Sequence, residues 1–347
     1  MQNIKFIKTE DGSTGLYNLA EEDIYHSKSG AKKEAFDKFV NPIIRVNKDL
    51  VNKSFSLLDI CYGIGYNTKA LLTYVDDAEF YIDCLDYDKN VIYLSPFIND
   101  CISNKKIDTY IIYNLIKNPE AYLQIQELLF NNLQSASNEF INADLYALFC
   151  DFINEVPTIY PPDSYHSNLH NIYYSYISDK MKDSFKFNYN KKSQINFYFD
   201  DARQSIKSLN KQYDIVFLDG FSPQKNPSLW TYDFLLQIKN KIHDNTIITS
   251  YSKSTPFRNA LLKLGFNVGK TFIDEIDMGT IASFNKNYII NPLDDYDLEL
   301  MTTTSGIVYR DESLNLTAQE IVYNRNLEQK NSNLISHTQF LKSFKQL

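Results

Sequence analysis

Apolar residues in this chain come in two patterns that take turns: short continuous runs and helically spaced sets. Ser56-Leu-Leu-Asp-Ile60 is a short apolar run, followed by Cys61-Tyr-Gly-Ile-Gly65 and then a helical pattern from Asn67 to Val75. A second run, Phe80–Leu85, ends on Asp86. This predicts strand, glycine turn, helix and strand, a spacing that forces parallel pairing with a right-handed crossover. The rhythm lapses between about residues 91 and 190, where helices are expected at Ala121–Leu133 and Ala143–Ile153 and Tyr160-Pro-Pro-Asp163 breaks the pattern. It resumes with strands at Ile195–Phe199, Tyr213–Leu218 and Thr246–Ser250, and helices at Ala202–Leu209, Leu229–Ile242 and Pro256 to near Gly265. Val268–Ile273 and Thr280–Phe284 are expected to form a closing hairpin.

Nearer the ends, a helix is expected from about Ser29 to Val40, with Pro42 breaking or restarting it. Thr317 and Glu320 form a capping box that predicts one more helix in the tail. The sum is an α/β, Rossmann-like, doubly wound fold: a mostly parallel sheet with an antiparallel last strand and a helical insertion. The expected organisation is an N-terminal cap or substrate element (1–50), a main domain (51–290) carrying the insertion at about 91–190, and a tail (291–347).

Composition narrows the class. The 347 residues hold 35 Lys+Arg against 43 Asp+Glu, a net charge of −8, with a pI near 5.2. Such a chain does not coat nucleic acid by bulk charge, although a local basic patch remains open. The 26 Tyr and 23 Phe exclude a disordered composition. No apolar run approaches the length of a membrane span, and MQNIKFIKTEDG lacks a signal-peptide pattern. The four Cys are widely spaced with no CxxC, so neither a metal site nor a disulfide framework is expected. A reducing, cytoplasmic setting is the expectation.

Two constellations carry candidate chemistry. In the first, Gly63 and Gly65 leave room for a ligand to approach backbone N–H groups at the start of the helix that opens near Asn67. Asp86, 21 residues beyond Gly65, ends the second strand, where a carboxylate can hold both ribose hydroxyls of an adenosine cofactor. A dinucleotide and S-adenosylmethionine (SAM) both fit. Three details favour SAM. Thr68 occupies the third fingerprint position, where dinucleotide sites want Gly or Ala. Asp59 precedes the glycines and would repel a pyrophosphate but attract a sulfonium and an α-amino group. Asp200-Asp201-Ala202 ends the third strand, where Asp201 can accept the adenine amino proton, cap the next helix, or do both.

The second constellation is Phe217-Leu-Asp-Gly-Phe-Ser-Pro-Gln-Lys-Asn-Pro-Ser-Leu-Trp230. It follows the fourth strand directly, so Asp219 should face the cleft at the carboxyl ends of the strands. Gly220 allows an unusual turn, Pro223 and Pro227 stiffen the loop, and Trp230 is the only Trp. The loop is either a substrate-holding wall or a turn packed under an aromatic.

The run FLDGFSPQKNPSLWT resembles the FLDGFxPxKNPxxW motif of MnmC-type tRNA methyltransferases. Asp11-Gly-Ser-Thr, Tyr25-His-Ser-Lys-Ser-Gly-Ala31 and Glu34 resemble that family's N-terminal element. Thr246–Ser252, Arg258–Leu261 and Leu264-Gly-Phe266 resemble a later stretch, and Gly306-Ile-Val-Tyr-Arg-Asp311 a segment of some single-domain members. The resemblance implies SAM as cofactor and methylation of 5-aminomethyl-(2-thio)uridine at the tRNA wobble position. It implies Asp219 as the catalytic residue, receiving the amine proton or holding the amine. Phe221, Lys225 and Asn226 would wall the nucleotide pocket, and Tyr25, His26 and Ser27 would close over a cofactor also held by Asp59, Gly63, Gly65, Asn67, Asp86, Asp201 and Ala202. The implied partners are the anticodon region of tRNA and the enzymes that install the aminomethyl group, with no membrane and no metal.

Two departures stand out. The FGTG turn of bifunctional members is here Tyr62-Gly-Ile-Gly65, and a basic GRKR-like segment is replaced by Asp274-Glu-Ile-Asp-Met278. The length is expected to leave no room for those members' flavin-dependent oxidase domain. Candidate phosphate contacts are Lys32/Lys33, Lys180/Lys182/Lys186, Lys191/Lys192 and Lys225, the run up to Lys192 being the strongest. Competing functions are an NAD(P)-dependent oxidoreductase on the same glycine turn, another SAM-dependent small-molecule or nucleoside methyltransferase, or a binding module without catalysis. A polyamine synthase would need an acidic diamine pocket, which the sequence does not locate.

Overall fold

Five near-continuous apolar runs pair in parallel and form the centre of an eight-stranded sheet: β4 (Phe55–Ile60), β5 (Phe80–Leu85), β7 (Gln194–Tyr198), β8 (Tyr213–Leu218) and β9 (Ile242–Ser250). The computed structural model describes residues 4–19, 22–25, 29–98, 102–134 and 184–344. The strand order is β10-β11-β9-β8-β4-β5-β7-β6, with β10 (Asn267–Ile273), β11 (Ile276–Ser283) and β6 (Ser184–Asn188) antiparallel at the edges. The chain reverses its winding between β4 and β8, the place where α/β sheets open a cleft.

Both faces of the sheet are covered, which is why the central strands read as apolar runs rather than alternations. Leu57, Ile82, Phe197, Ile215 and Phe217 pack under the N-terminal helices and α3 (Tyr66–Leu72). Leu58, Ile60, Leu85, Val216 and Leu218 pack under α7 (Ala202–Ser208), α8 (Tyr232–Lys239) and α9 (Thr255–Lys263).

The N-terminal region holds more than one helix. β1 (Ile4–Lys8), β2 (Thr14–Asn18) and β3 (Asp23–Ile24) form a separate antiparallel sheet. α1 (Ala31–Glu34) runs into a π-helical segment, Ala35–Val40, and then into α2 (Asn41–Val46). Pro42 sits in the first turn of α2, so it restarts the helix rather than ending it. The insertion begins with α4 (Lys89–Leu94), α5 (Lys105–Ile116) and α6 (Pro119–Gln134). The expected helix at Ala143–Ile153, the Tyr160-Pro-Pro-Asp163 break, Lys180, Lys182, Cys101 and Cys150 lie outside the described residues.

Three expectations need correction. The helix at 229–242 starts at Tyr232 and stops at Lys239, because Pro227–Trp230 is a 3-10 turn and Ile242 already pairs with Tyr213. The closing hairpin forms as expected, β10 against β11, but its second strand starts at Ile276 rather than Thr280. The tail has three helices among the described residues, α10 (Asp295–Met301), α11 (Ala318–Asn331) and α12 (His337–Phe344). The Thr317–Glu320 capping box on α11 is as expected, and Asp294 with Asp297 makes a second box on α10. No helix among the described residues is long and apolar enough to cross a membrane.

Candidate active site

Register places three side chains at one height. Ile60 pairs with Leu85 and Leu218, so the next residues, Cys61, Asp86 and Asp219, emerge together at the carboxyl end of the sheet. Backbone bonds extend the ladder past the strands: Cys61 N–H donates to Leu85 O (2.8 Å), Asp86 N–H to Tyr198 O (3.0 Å) and Asp219 N–H to Ile60 O (3.1 Å). They open into a cavity of about 900 Å³, the size of a small-molecule or cofactor site.

Of the candidates, Tyr25, Gly63, Asp86, Asp201, Ala202, Asp219, Phe221 and Asn226 line this cavity. Asp59, Gly65 and Asn67 stand behind its wall, and Lys225 lies outside the lining, half-exposed and 4.0 Å from Glu22. His26 and Ser27 fall outside the described residues. Asn67 acts through its neighbour, donating from Nδ2 to Asp219 Oδ2 at 2.7 Å.

The glycine turn works differently from a ligand cradle. The Gly63 N–H donates to Asp86 Oδ2 (2.7 Å), and the Gly65 N–H to Tyr62 O (2.9 Å). Both donors are thus satisfied by the protein. Both glycines are left-handed, φ 57° and 83°, and a Cβ on Gly65 would lie 2.3 Å from Tyr62 Oη. Gly65 makes room for a tyrosine, not for a ligand. Cys61 is left-handed as well, at φ 68°, a conformation that costs a residue with a side chain. Gly220, by contrast, is not left-handed; its missing Cβ leaves space for Leu229.

Charge defines the cavity. Asp23, Glu34, Asp86, Asp88, Asp201 and Asp219 line it, against Lys38 and Arg203. Both cations are paired: Lys38 Nζ with Glu34 Oε1 at 2.5 Å, and Arg203 with Asp201 (2.6 Å) and Asp311 (2.7 Å). Asp201 caps α7 by accepting the Arg203 N–H, so the capping role is filled at a place that still faces the cavity. Burial, then the Glu34 charge, raises the Asp219 carboxyl well above the carboxylate range, against the opposing Asn67 hydrogen bond. Burial raises Asp86 to about 6 and Asp59 to about 7. Asp59 Oδ2 accepts from Thr68, while its buried Oδ1 has no donor among the described residues.

The loop after β8 is braced from below. Buried Trp230 donates from Nε1 to Phe221 O (2.8 Å), and Tyr251 donates to Gly220 O (2.8 Å). The Phe221 ring meets Tyr25 edge-on, centroids 5.2 Å apart. The loop is a packed turn, and its Phe221 and Asn226 line the cavity. Glu34, Lys38, Asp23 and Tyr251 were not predicted as site residues. Glu34, the last residue of α1, and Lys38, in the π-helical segment, stand four apart, but sequence does not tell which way that face turns. Its seat comes from the Asp11-Gly-Ser turn: Asp11 accepts the Lys33 N–H (2.9 Å) and Ser13 Oγ the Ala31 N–H (3.0 Å). A Cβ on Gly30 would lie 2.2 Å from Asp11.

Two lysine expectations move. Lys191 and Lys192 precede β7, at the amino end of the parallel strands and thus opposite the cavity, and Lys192 pairs with Glu79 (2.6 Å). The Asp274–Met278 segment spans the β10–β11 turn, Asp274 and Glu275, both left-handed, and the first residues of β11, where Asp277 is held by Arg258 at 3.0 Å.

A cavity whose cations are paired and whose glycine-turn amides are engaged suits a cationic cofactor better than a pyrophosphate. SAM carries a sulfonium and an ammonium, so the residues present fit it. A family model described as S-adenosyl-L-methionine-dependent methyltransferase matches residues 163–272. The uncharacterized protein MJ0670 of Methanocaldococcus jannaschii is 30% identical over 321 residues, 92% of this chain and 70% of that protein. The tRNA 5-methylaminomethyl-2-thiouridine biosynthesis bifunctional protein MnmC of Pseudomonas putida is 33% identical over 70 residues, 20% of this chain but 11% of that protein. The fold resembles the crystal structure of MnmC2 from Aquifex aeolicus, with a TM-score of 0.63 at 23% identity over 95% of this chain and 86% of that one. The chain belongs to the family it shares with MJ0670, and is a SAM-dependent methyltransferase related to the methyltransferase domain of MnmC.

Proposed function

We propose that the protein methylates the primary amine of 5-aminomethyl-(2-thio)uridine at the wobble position of tRNA, giving the 5-methylaminomethyl product. The observation that supports this best is Asp219: a half-buried carboxylate at a strand end, oriented by Asn67, in a cavity dominated by acidic groups. A protonated alkylamine has no lone pair, so the site must first take its proton. Asp219, its basicity raised by burial, is suited to that and to holding the amine in place. Asp86, Asp201, Ala202, Gly63 and Tyr25 would hold SAM, with the Asp59 carboxyl buried beneath. When bound, SAM supplies an activated methyl: the N–C bond forms as the C–S bond breaks, and the electron pair stays on sulfur. Phe221 and Asn226 would shape the nucleotide pocket; alignment supplies most of the acceleration.

Anticodon phosphates would meet Lys33 and Lys225 beside the cavity, since its walls are acidic. The reaction would follow enzymes that install the aminomethyl group, in the cytoplasm. The six carboxylates also favour a second reading, a free aliphatic diamine as acceptor.

The test is methyl transfer from SAM to tRNA carrying 5-aminomethyl-2-thiouridine, scored by nucleoside mass spectrometry, with putrescine as a parallel acceptor. Asp219→Ala should abolish transfer to the tRNA with SAM affinity nearly unchanged. Transfer to putrescine alone would replace this reading with the second. Full turnover by Asp219→Ala would remove that residue from the mechanism.

A further inference from the structure

Asp219 does not face the cavity alone. Glu34 ends α1 where the π-helical segment begins, it is 8% exposed, and it lines the same cavity. Short π-helical segments recur at functional sites because the extra residue re-aims side chains that a regular helix would turn away. Lys38, one turn on, reaches Glu34 Oε1 at 2.5 Å and lies 5.7 Å from the Tyr251 ring centroid. Tyr251 in turn donates to the carbonyl of Gly220, the residue after Asp219. Glu34, Lys38, Tyr251 and Asp219 thus form one connected wall, fixed from the N-terminal element and the β8 loop together.

A structural ion pair on a helix surface contributes little and has no need of a cavity. This one is nearly buried and lines the cavity with Asp219, whose carboxyl burial and then the Glu34 charge push up, so two carboxylates there share one resident cation, Lys38. We propose that Glu34 is a second substrate-touching carboxylate, so that Glu34 and Asp219 together seat a primary alkylammonium, with Lys38 as the resident cation it competes against. The pair would hold R–NH3+ by charge-assisted hydrogen bonds. Transfer of one ammonium proton to a carboxylate oxygen leaves R–NH2 with its lone pair free and a neutral carboxyl, conserving charge and protons. A hydroxyl in place of the amine gains nothing from the pair, so the arrangement selects amines over alcohols.

This rests on the amine reading above, and the experiment separates the two. Two anticodon stem-loop RNAs, with 5-aminomethyluridine or 5-hydroxymethyluridine at the wobble position, are titrated calorimetrically into the full chain at pH 7.5. The wild type should prefer the amine. Glu34→Gln should lose about tenfold or more of that preference, with hydroxymethyl RNA binding unchanged. Glu34→Asp should restore part of it, and KM for methyl transfer should rise in Glu34→Gln. Lys38→Met, which removes the competing cation, should raise the preference at least threefold, and this arm carries the test if Glu34→Gln does not fold. A wild type that methylates the amine RNA, with both variants keeping the wild-type preference, overturns the inference alone. A wild type with neither transfer nor preference overturns the amine reading, and the inference with it.

Discussion

Lys69 and Asp108 make an ion pair at 2.7 Å with side chains 1% and 5% exposed, and it joins the helix of the glycine turn to the insertion. Lys69 lies on α3, two residues after Asn67; Asp108 lies in the first turn of α5, where its other oxygen accepts the Asn104 N–H (3.1 Å). Breaking such a pair leaves a charge in a site without water, and this costs about 3–5 kcal/mol, whereas a well-packed neutral replacement is often close to neutral. Asp108→Asn keeps the shape and the acceptor for Asn104 but removes the carboxylate charge that faces the buried ammonium, so it should lose about 3–5 kcal/mol. Lys69→Met with Asp108→Asn removes both charges and should fall within about 1 kcal/mol of the wild type.

Urea unfolding measures this, followed by the fluorescence of Trp230, the only Trp, and by far-UV circular dichroism. The double-mutant cycle should give a coupling of about 2–4 kcal/mol. An Asp108→Asn cost below about 1 kcal/mol, with additive effects in the double variant, would mean that Lys69 is solvated and α5 is not seated on α3. The loss should also reach the site, because Asn67 shares the seven-residue α3 with Lys69.

Cys61→Gly should stabilise the protein by about 1 kcal/mol, since relief of left-handed strain exceeds the glycine entropy cost, whereas Cys61→Val should destabilise it; thermal melts decide. Asp59, raised to about 7, binds a proton in the folded state that the unfolded chain releases near 3.8, so its contribution to stability declines as pH rises between those values. Asp59→Asn should accordingly melt higher than the wild type at pH 8, with the difference shrinking as pH falls below about 7 and vanishing only near the unfolded value of 3.8, and parallel melting curves would refute the assignment; the same change should weaken SAM binding. Trp230→Phe removes the 2.8 Å bond to Phe221 O and should cost about 1–3 kcal/mol, together with a raised KM for the acceptor.

What the chain shows in advance follows from burial. β5 and β8 occupy the expected residues because strands covered on both faces have no polar position to blur their limits. β1, β2 and β3 were missed because five-residue and two-residue strands at a surface carry too few alternations to register. Ile242 continues the helical spacing of α8, and only its pairing with Tyr213 shows that it belongs to β9. The Asp294–Asp297 box was visible in sequence but has Asp where the usual box has Glu. At the site, the strand-end rule was enough to find Asp86, Asp201 and Asp219, which come from three different strands yet line one cavity. Glu34 was not found this way, because its position depends on the Asp11-Gly-Ser turn and on a π-helical register that no periodicity announces.

The glycine turn shows why a motif alone does not choose a cofactor. A nucleotide phosphate binds such a turn through free N–H donors at a helix start. Here the Gly63 donor is held by Asp86 and the Gly65 donor by Tyr62, and Asp59 adds a buried carboxylate beneath them. The turn therefore presents negative charge where a pyrophosphate would need positive, while a sulfonium and an amine gain from the same arrangement. The chain's net charge of −8 has the same consequence at larger scale. An acidic protein with an acidic cavity disfavours a polyanion inside that cavity, so the tRNA acceptor of the proposed function would enter it by the cationic wobble aminomethyl. Under the proposed function, recognition would then depend on the modification already being present, and the anticodon phosphates would supply affinity at the rim but no part of the selection.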